Sequence, residues 1–244
     1  MPFTFSHPAI VLPFSYLPKR WVSLTALVIG SMTPDFEYFI RMKVAARYGH
    51  TWPGLFYFDL PLAFLLMLIY NRLVKNKLID HLPSWFNKHL SEFKNSNETY
   101  LKPHFIVIVI CILIGAASHI FWDGFTHPAG YFVLHHRILR HKVMAGHYAV
   151  ERFHILQHVS TFIGAAVILY AINQLPVGKL TRPENIIYYW LKIAAIALLV
   201  LLIRLLTGLN LKEYGDVIVT GISGGLIGLV FVSVITPTKL IAQN

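Results

Sequence analysis

The residues most suited to chemistry in this sequence are His119, Asp123 and His127, which are spaced four residues apart. On an α-helix this spacing places all three side chains on one face, each one turn above the next. Imidazole and carboxylate groups are the ligands that zinc, manganese and iron take in proteins. The pattern therefore predicts a metal site on a helix. The alternative interpretation is a helix end whose polar side chains extend into the lipid interface.

An apolar run from Phe105 to Ala117 leads into these residues and is typical of a membrane helix. Of the 244 residues, 56% are hydrophobic and 13% are charged, and the mean hydropathy is +0.58. Because about 25% of the residues of a soluble domain are charged, this composition indicates a membrane protein. Three titratable groups on one stripe of a membrane helix are costly unless a partner such as a metal ion pairs with them.

The formal net charge of +10 indicates basic loops that face anionic lipid headgroups. We expect membrane lipids as partners and no nucleic acid, since no nucleic-acid-binding motif accompanies the charge. The single cysteine, Cys111, lies within an apolar run, which excludes a disulfide framework and a cysteine zinc site. A metal must therefore be held by histidine and carboxylate side chains.

Five apolar runs have about the 20 residues that a helix needs to cross the ~30 Å hydrocarbon core of a bilayer. The predicted spans are Leu55–Val74, Pro103–Trp122, Ile155–Leu175, Ile187–Leu206 and Val217–Ile235. A shorter run, Trp21–Gly30, predicts a buried or re-entrant N-terminal helix. We therefore predict an all-α, polytopic membrane helical bundle that forms a single integral-membrane domain over residues 1–244. Within it, residues 1–54 form an N-terminal site-forming region and residues 55–244 the transmembrane bundle.

If the five spans alternate across the membrane, ten of the 13 histidines fall on one side. Polar residues from four separate stretches collect there, which supports a built site. They are His7, Asp35, Glu37 and His50 before the first span, Asp59 at its start, His119, Asp123 and His127 at the end of the second span, and His158 at the start of the third. Lysine and arginine are almost equally divided between the two sides, so the orientation stays open.

Two further expectations concern carboxylates and histidines. Asp35 and Glu37 suit a turn or the first turn of a helix, where carboxylates are favoured. His81 and His89 are expected at the surface of a solvated segment, and a second group of histidines at the surface or against lipid headgroups: His135, His136, His141 and His147.

Several motifs of the sequence resemble the bacterial membrane family called domain of unknown function 4184, over nearly the whole chain. They are His7-Pro-Ala, Gly30-Ser-Met-Thr-Pro34-Asp35-Phe-Glu37-Tyr, His50-Thr-Trp-Pro-Gly54, Phe58-Asp59-Leu-Pro61, Ser118-His119-Ile-Phe-Trp-Asp123-Gly-Phe-Thr126-His127-Pro and Gln157-His158. More distantly, the same motifs look like predicted inner-membrane metal-dependent hydrolases under LexA control. More faintly, His119-x-x-x-Asp123 followed by His127 looks like a motif of zinc-dependent phospholipases C and single-strand nucleases.

The resemblance implies a multi-pass protein of the bacterial inner membrane. It also implies a divalent metal cofactor, which we expect to be zinc, with manganese or iron as alternatives. It implies that His7 and Asp35 are metal ligands. Glu37 is then a ligand, a residue that orients a histidine ligand, or the general base, and we assign it the base role. Asp59 either completes the ligand shell or holds His50, and His158 lies on the same side of the membrane as the site. The predicted metal ligands are therefore His7, Asp35, His50, Asp59, His119, Asp123, His127 and His158.

Three functions are consistent with this sequence. The first is a metal-dependent hydrolase that acts on a lipid or phosphodiester substrate at the membrane interface. The second is a non-enzymatic membrane metal-binding protein or transporter, which Lys192 and Arg204 in the fourth span and a glycine-rich fifth span favour. The predicted position of the site at one membrane face, away from the midplane, disfavours the transporter. A structural scaffold is a third possibility.

Overall fold

The computed structural model describes residues 3–95, 104–180 and 186–237, and these residues are mostly helical. The α-helices are α1 (Leu24–Arg41), α2 (Leu60–Ile69), α3 (Lys75–His81), α4 (Ser84–Leu90), α5 (Phe105–Thr126), α6 (Tyr131–His135), α7 (Arg137–Arg140), α8 (Arg152–Asn173), α9 (Ile186–Leu206) and α10 (Tyr214–Ile235). Three 3₁₀-helical segments lie at Thr4–Ile10, Leu12–Tyr16 and Ser91–Asn95, and two π-helical turns lie at Leu55–Asp59 and Tyr70–Val74.

Five helical segments of the described chain are long and apolar enough to cross a membrane: Leu55–His81, Phe105–His135, Arg152–Asn173, Ile186–Leu206 and Tyr214–Ile235. This confirms the predicted all-α polytopic bundle, and the chain is a multi-pass membrane protein. The first span is longer than predicted, because the π-helical turn at Tyr70–Val74 continues into α3 without a break. Pro103, the predicted start of the second span, lies outside the described residues.

Helix α1 corrects the prediction for the N-terminal region. The predicted short helix ends at Gly30 and is followed by a turn, whereas α1 continues through Pro34 to Arg41. Proline inside a helix costs about 3 kcal/mol, and burial of residues beyond it, including Tyr38 and Phe39, offsets that cost. Asp35 and Glu37 therefore lie in the second half of a long helix, and the predicted turn is wrong.

The described residues group into two compact units. The first comprises Met1–Phe36, Arg47–Phe64 and Thr99–Asn173, and the second comprises Glu37–Ala46, Leu65–Glu98 and Gln174–Asn244. In the first unit, α1 and α5 cross at Gly30 and Gly115. A Cβ atom on Gly30 would lie 2.4 Å from the Ile112 carbonyl oxygen, and one on Gly115 would lie 2.4 Å from the Leu27 carbonyl oxygen. Only glycine allows the two backbones to approach this closely.

In the second unit, α9 and α10 pack together through small residues and one buried hydrogen bond. A Cβ atom on Gly224 would lie 2.8 Å from Cα of Ala197, as expected of the glycine-rich fifth span. The hydroxyl groups of Tyr189 and Ser233 are 2.9 Å apart. The ring of Tyr189 also stacks on His81, at 4.0 Å between centroids.

The stacking on Tyr189 corrects one expectation about the surface histidines. His81 and His89 are buried, not exposed, because each ring packs on aromatic neighbours. The other four histidines expected at the surface are exposed: His135, His136, His141 and His147. His141 and His147 border an antiparallel hairpin of β1 (Lys142–Ala145) and β2 (Tyr148–Glu151), which the sequence analysis did not predict.

Candidate metal centre

Helix α5 presents the predicted stripe of polar side chains at its C-terminal end. His119 and Asp123 are buried one turn apart on this helix, with exposed fractions of 0% and 4%. The helix ends at Thr126, since Pro128 restricts the backbone of His127 to an extended conformation. His127 therefore caps the helix, its N–H donating to the Asp123 carbonyl at 3.0 Å. Its Nε2 atom still lies 3.6 Å from Asp123 Oδ2.

Four of the predicted ligands converge in the first unit, and we call them the metal cluster: Asp35, His50, His119 and Asp123. One ligand atom from each lies within 4.8 Å of all the others. Oδ1 of Asp35 is 3.3 Å from Nε2 of His50 and 3.4 Å from Nε2 of His119. Oδ2 of Asp123 is 3.5 Å from each of the same two nitrogens. Adjacent ligands of one ion, bonded at about 2.0–2.2 Å, lie roughly 2.8–3.6 Å apart, so these separations fit a shared ion.

The ligand atoms of the cluster lie close together without forming hydrogen bonds to one another. Oδ1 of Asp35, Nε2 of His119 and both carboxylate oxygens of Asp123 are buried without a hydrogen-bond partner among the described residues. Buried polar atoms are almost always satisfied, and an uncompensated buried carboxylate is very costly. A cation held between the two carboxylates and the two imidazoles would remove this cost.

Two further residues orient the ligands. The Nδ1 atom of His119 lies 2.7 Å from the backbone carbonyl oxygen of Ser31, so the ring donates there and leaves Nε2 for the cluster. The hydroxyl of Thr4 donates to Oδ2 of Asp35 at 2.6 Å, which leaves Oδ1 for the cluster. Such partners fix the orientation of metal ligands. The sequence analysis missed both residues, although Ser31 lies one helical turn before Asp35 and Thr4 lies three residues before His7.

The N-terminal 3₁₀ segment places His7 against the cluster. Ser6 Oγ donates to the Thr161 carbonyl at 3.0 Å, and the Phe3 N–H donates to Thr161 Oγ1 at 3.0 Å. The His7 ring stacks on His119 at 3.7 Å between centroids. Its Nε2 atom lies 3.6 Å from Oδ1 of Asp123, the oxygen on the other side of that carboxylate. His7 is thus adjacent to the four-residue group without belonging to it.

The loop that carries His50 lies directly against helix α1. A Cβ atom on Gly49 would lie 2.6 Å from the Pro34 carbonyl oxygen and 3.3 Å from Oδ1 of Asp59. Glycine at this position therefore lets His50 approach Asp35. Asp59 is buried beside the backbone of that loop and lies outside the four-residue group. This location is consistent with the predicted role of Asp59 in holding His50.

The electrostatics of the ligands outside the membrane spans favour a cation. Burial and the neighbouring His119 ring lower the pKa of His7 to about 3, so this ring is neutral at pH 7. Burial alone would raise the pKa of Asp35, but His119 and His50 hold it below its usual range and the carboxylate stays ionised. Burial likewise opposes protonation of His50, yet the Asp123 and Asp35 carboxylates raise its pKa. These shifts follow from burial together with the neighbouring imidazoles and carboxylates.

Two residues predicted for the site do not belong to the four-residue group. Glu37 follows Asp35 by two positions on α1, and this spacing turns its side chain about 200° away from that of Asp35. Its Oε1 accepts from Nε of Arg41 at 2.8 Å, and its assignment as general base stays a prediction. His158 is exposed on α8 and outside the four-residue group, and its role as a ligand also stays a prediction.

The fold and this cluster define a multi-pass membrane protein with a possible buried metal centre made of histidine and aspartate. The chain matches the family described as Domain of unknown function (DUF4184) over residues 1–234 and belongs to that family. No curated protein and no solved structure matches the chain.

Proposed function

We propose that this protein is a metal-dependent hydrolase of the bacterial inner membrane that acts on a lipid or phosphodiester at the membrane interface. The observation that carries the proposal is the metal cluster, with four ligand atoms within 4.8 Å of one another and buried carboxylate oxygens that have no hydrogen-bond partner among the described residues. Two imidazoles and two carboxylates suit zinc, and they also suit manganese or iron. A divalent ion bound there would lower the pKa of a water molecule and polarise a phosphoryl or acyl oxygen.

The imidazoles of His127 and His7 lie beside the four-residue group and have nitrogen atoms available to a substrate. The side chains of His50 and His127 are 19% and 29% exposed, so solvent reaches the cluster from this side. Nε2 of His127 is buried without a hydrogen-bond partner among the described residues. It therefore has free capacity to donate to a substrate oxygen or to accept a proton from water. His7 has the same capacity on the opposite side of the Asp123 carboxylate.

The surroundings of the cluster favour an anionic substrate in a membrane. Helix α5 is part of a candidate span, and the cluster lies near the end of that helix. The segment that follows carries the exposed basic residues Arg137, Arg140 and Lys142. Basic groups next to a membrane helix attract anionic lipid headgroups. A phosphate-containing lipid matches both features.

A non-enzymatic membrane metal-binding protein is the second candidate function. It is favoured by the strong burial of the cluster, in which Asp35 and His119 are 0% exposed. Structural metal sites are closed by four protein ligands, whereas catalytic sites keep a position for water. This candidate predicts stable metal binding without turnover.

One reconstitution experiment separates these candidates. The full chain is purified in detergent, stripped with a chelator, reloaded with zinc or manganese, and assayed with phospholipids and with bis(p-nitrophenyl) phosphate. We expect metal-dependent hydrolysis by the parent protein and a loss of at least about 10²-fold in His119→Ala. His136→Ala, which changes an exposed histidine, should behave as the parent does. Metal binding without turnover of any of these substrates would replace the hydrolase with the binding protein.

A further inference from the structure

An apolar groove with a volume of about 280 Å³ lies beside the metal cluster in the first unit. The N-terminal 3₁₀ segment forms one wall and helix α8 forms the other, and His7 lies in the lining. The apolar side chains of the lining include Ile10, Trp122, Leu156, Val159, Ile163 and Val167. The lining is therefore hydrocarbon and indole along most of its length.

The wall on α8 is one continuous helical stripe. Leu156, Val159, Ile163 and Val167 follow the spacing of three and four residues that keeps side chains on one face. From the first to the last, the stripe covers about 16 Å along the helix axis. Val159 and Ile163 are 44% and 58% exposed on a helix that is long and apolar enough to span a membrane. In a bilayer the molecules that meet such a surface are acyl chains, which are as apolar as the groove.

The groove is held in shape by a close contact between its two walls. A Cβ atom on Gly164 would lie 2.8 Å from Cβ of Ser6 and 2.8 Å from its carbonyl oxygen. Ser6 in turn donates to the Thr161 carbonyl at 3.0 Å. The N-terminal segment thus packs directly against α8 and is hydrogen-bonded to it. The groove between the two elements is therefore fixed by backbone packing.

His7 connects the groove to the metal cluster. His7 is part of the groove lining, while its Nε2 atom lies 3.6 Å from Oδ1 of Asp123 and its ring stacks on His119. A chain that lies in the groove therefore contacts a residue that touches the cluster. A lipid bound with its headgroup toward His7 would bring its ester or phosphodiester bond to the cluster.

We infer that this groove binds one acyl chain of the substrate and places the lipid head at the metal cluster. This inference rests on the proposed function and narrows its substrate class. The substrate is a lipid with an apolar chain, in preference to a soluble phosphodiester. The groove then selects lipids by their acyl chain, and the metal cluster acts on the lipid headgroup.

Photo-crosslinking tests the position of the chain. The zinc-loaded full chain is placed in phosphatidylcholine vesicles containing phosphatidylglycerol with a diazirine at the end of one acyl chain, and labelled peptides are mapped by mass spectrometry. We expect labelling on the stripe of α8 at least about tenfold above that on its opposite face. Ile163→Trp should fill the groove and lower both this labelling and phosphatidylglycerol hydrolysis by about tenfold or more.

A neighbouring substitution provides the matched control. Phe162 is 75% exposed and is not part of the groove lining, so Phe162→Trp places the same tryptophan side chain on the same helix outside the groove. It should leave labelling and hydrolysis unchanged. Both variants should hydrolyse bis(p-nitrophenyl) phosphate as the parent does, because this small substrate has no acyl chain. If Ile163→Trp loses its zinc, Val167→Trp, farther along the stripe, replaces it.

The outcomes distinguish the groove from the hydrolase. Even labelling around α8, or equal effects of Ile163→Trp and Phe162→Trp, would overturn the acyl-chain site while leaving the hydrolase intact. Groove-specific labelling in a zinc-loaded parent that hydrolyses neither substrate would overturn the proposed function and leave the groove as a lipid-binding site.

Discussion

The Nδ1 atom of His119 on helix α5 lies 2.7 Å from the backbone carbonyl oxygen of Ser31 on helix α1. Because the partner is a backbone atom, the orientation of the His119 ring depends on how closely the two helices approach. One turn after Ser31, Asp35 directs Oδ1 at the Nε2 atom of the same ring. The crossing of α1 and α5 thus fixes both the orientation of this ligand and its distance from the next.

The first prediction concerns the glycine at that crossing. Gly115→Ala places a Cβ atom 2.4 Å from the Leu27 carbonyl oxygen, so the helices must separate. We expect a destabilisation of about 1–3 kcal/mol, typical of an overpacked core, and weaker zinc binding because the His119–Ser31 hydrogen bond lengthens. Thermal unfolding in detergent and zinc titration measure the two effects.

A matched glycine provides the control for this substitution. On α10, a Cβ atom on Gly221 would meet no atom of a neighbouring segment of the described chain within 4 Å. Gly221→Ala should therefore be neutral or slightly stabilising, since alanine favours a helix interior. Unchanged zinc affinity in Gly115→Ala would contradict the coupling between helix packing and the ligand.

A second prediction tests the residue that orients Asp35. Thr4→Val keeps the shape of the side chain but removes the hydroxyl that donates to Asp35 Oδ2 at 2.6 Å. Loss of such an orienting partner weakens metal binding by about 10–100-fold, which competition with a chelator of known affinity would measure. Thr207→Val is the control, because that exposed hydroxyl bonds only carbonyls of its own helix among the described residues. Equal zinc affinity in the two variants would rule out an orienting role for Thr4.

A third prediction concerns Glu37, which we assign as general base from the sequence. Glu37→Gln should keep the metal and lose about 10²–10⁴-fold in turnover, the usual contribution of a general base. Because Glu37 accepts from Arg41 at 2.8 Å, Arg41→Gln is the matched variant that removes this ion pair but keeps the carboxylate. The base role requires that only Glu37→Gln loses turnover. Full turnover in Glu37→Gln, or equal losses of turnover in both variants, would exclude Glu37 as the general base.

A fourth prediction tests the membrane topology. Candidate spans Leu55–His81 and Phe105–His135 flank Lys94, and Lys142 follows the second of them. Reporter fusions after Lys94 and after Lys142 should therefore be found on opposite sides of the membrane. Detection of both reporters on the same side would contradict the five-span arrangement.

The helical stripe on α5 and the convergence of the ligands followed from the sequence for physical reasons. Four-residue spacing defines a helix face, and alternation of apolar spans brings distant polar residues to one side. Local periodicity and length are sufficient for both. They place nine polar residues on one side of the membrane, and the structure brings four of them together: Asp35, His50, His119 and Asp123.

The parts of the site that could not be predicted depend on tertiary packing. Pro34 indicates a helix boundary by its local chemistry, and only the burial of α1 shows that the helix continues. Ser31 contributes a backbone carbonyl, so its side-chain type carries no signal of this role. The burial of His81 depends on a Tyr189 ring that is more than 100 residues away in sequence.

Metal content is the most direct test of the central claim that Asp35, His50, His119 and Asp123 hold a divalent ion. The full chain is purified without a metal-binding tag, exchanged with zinc, and analysed by inductively coupled plasma mass spectrometry. We predict about one equivalent per chain in the parent and in His136→Ala, and less than about a tenth of this in His119→Ala and Asp35→Asn. The same zinc content in the folded parent and in both ligand variants would contradict the account.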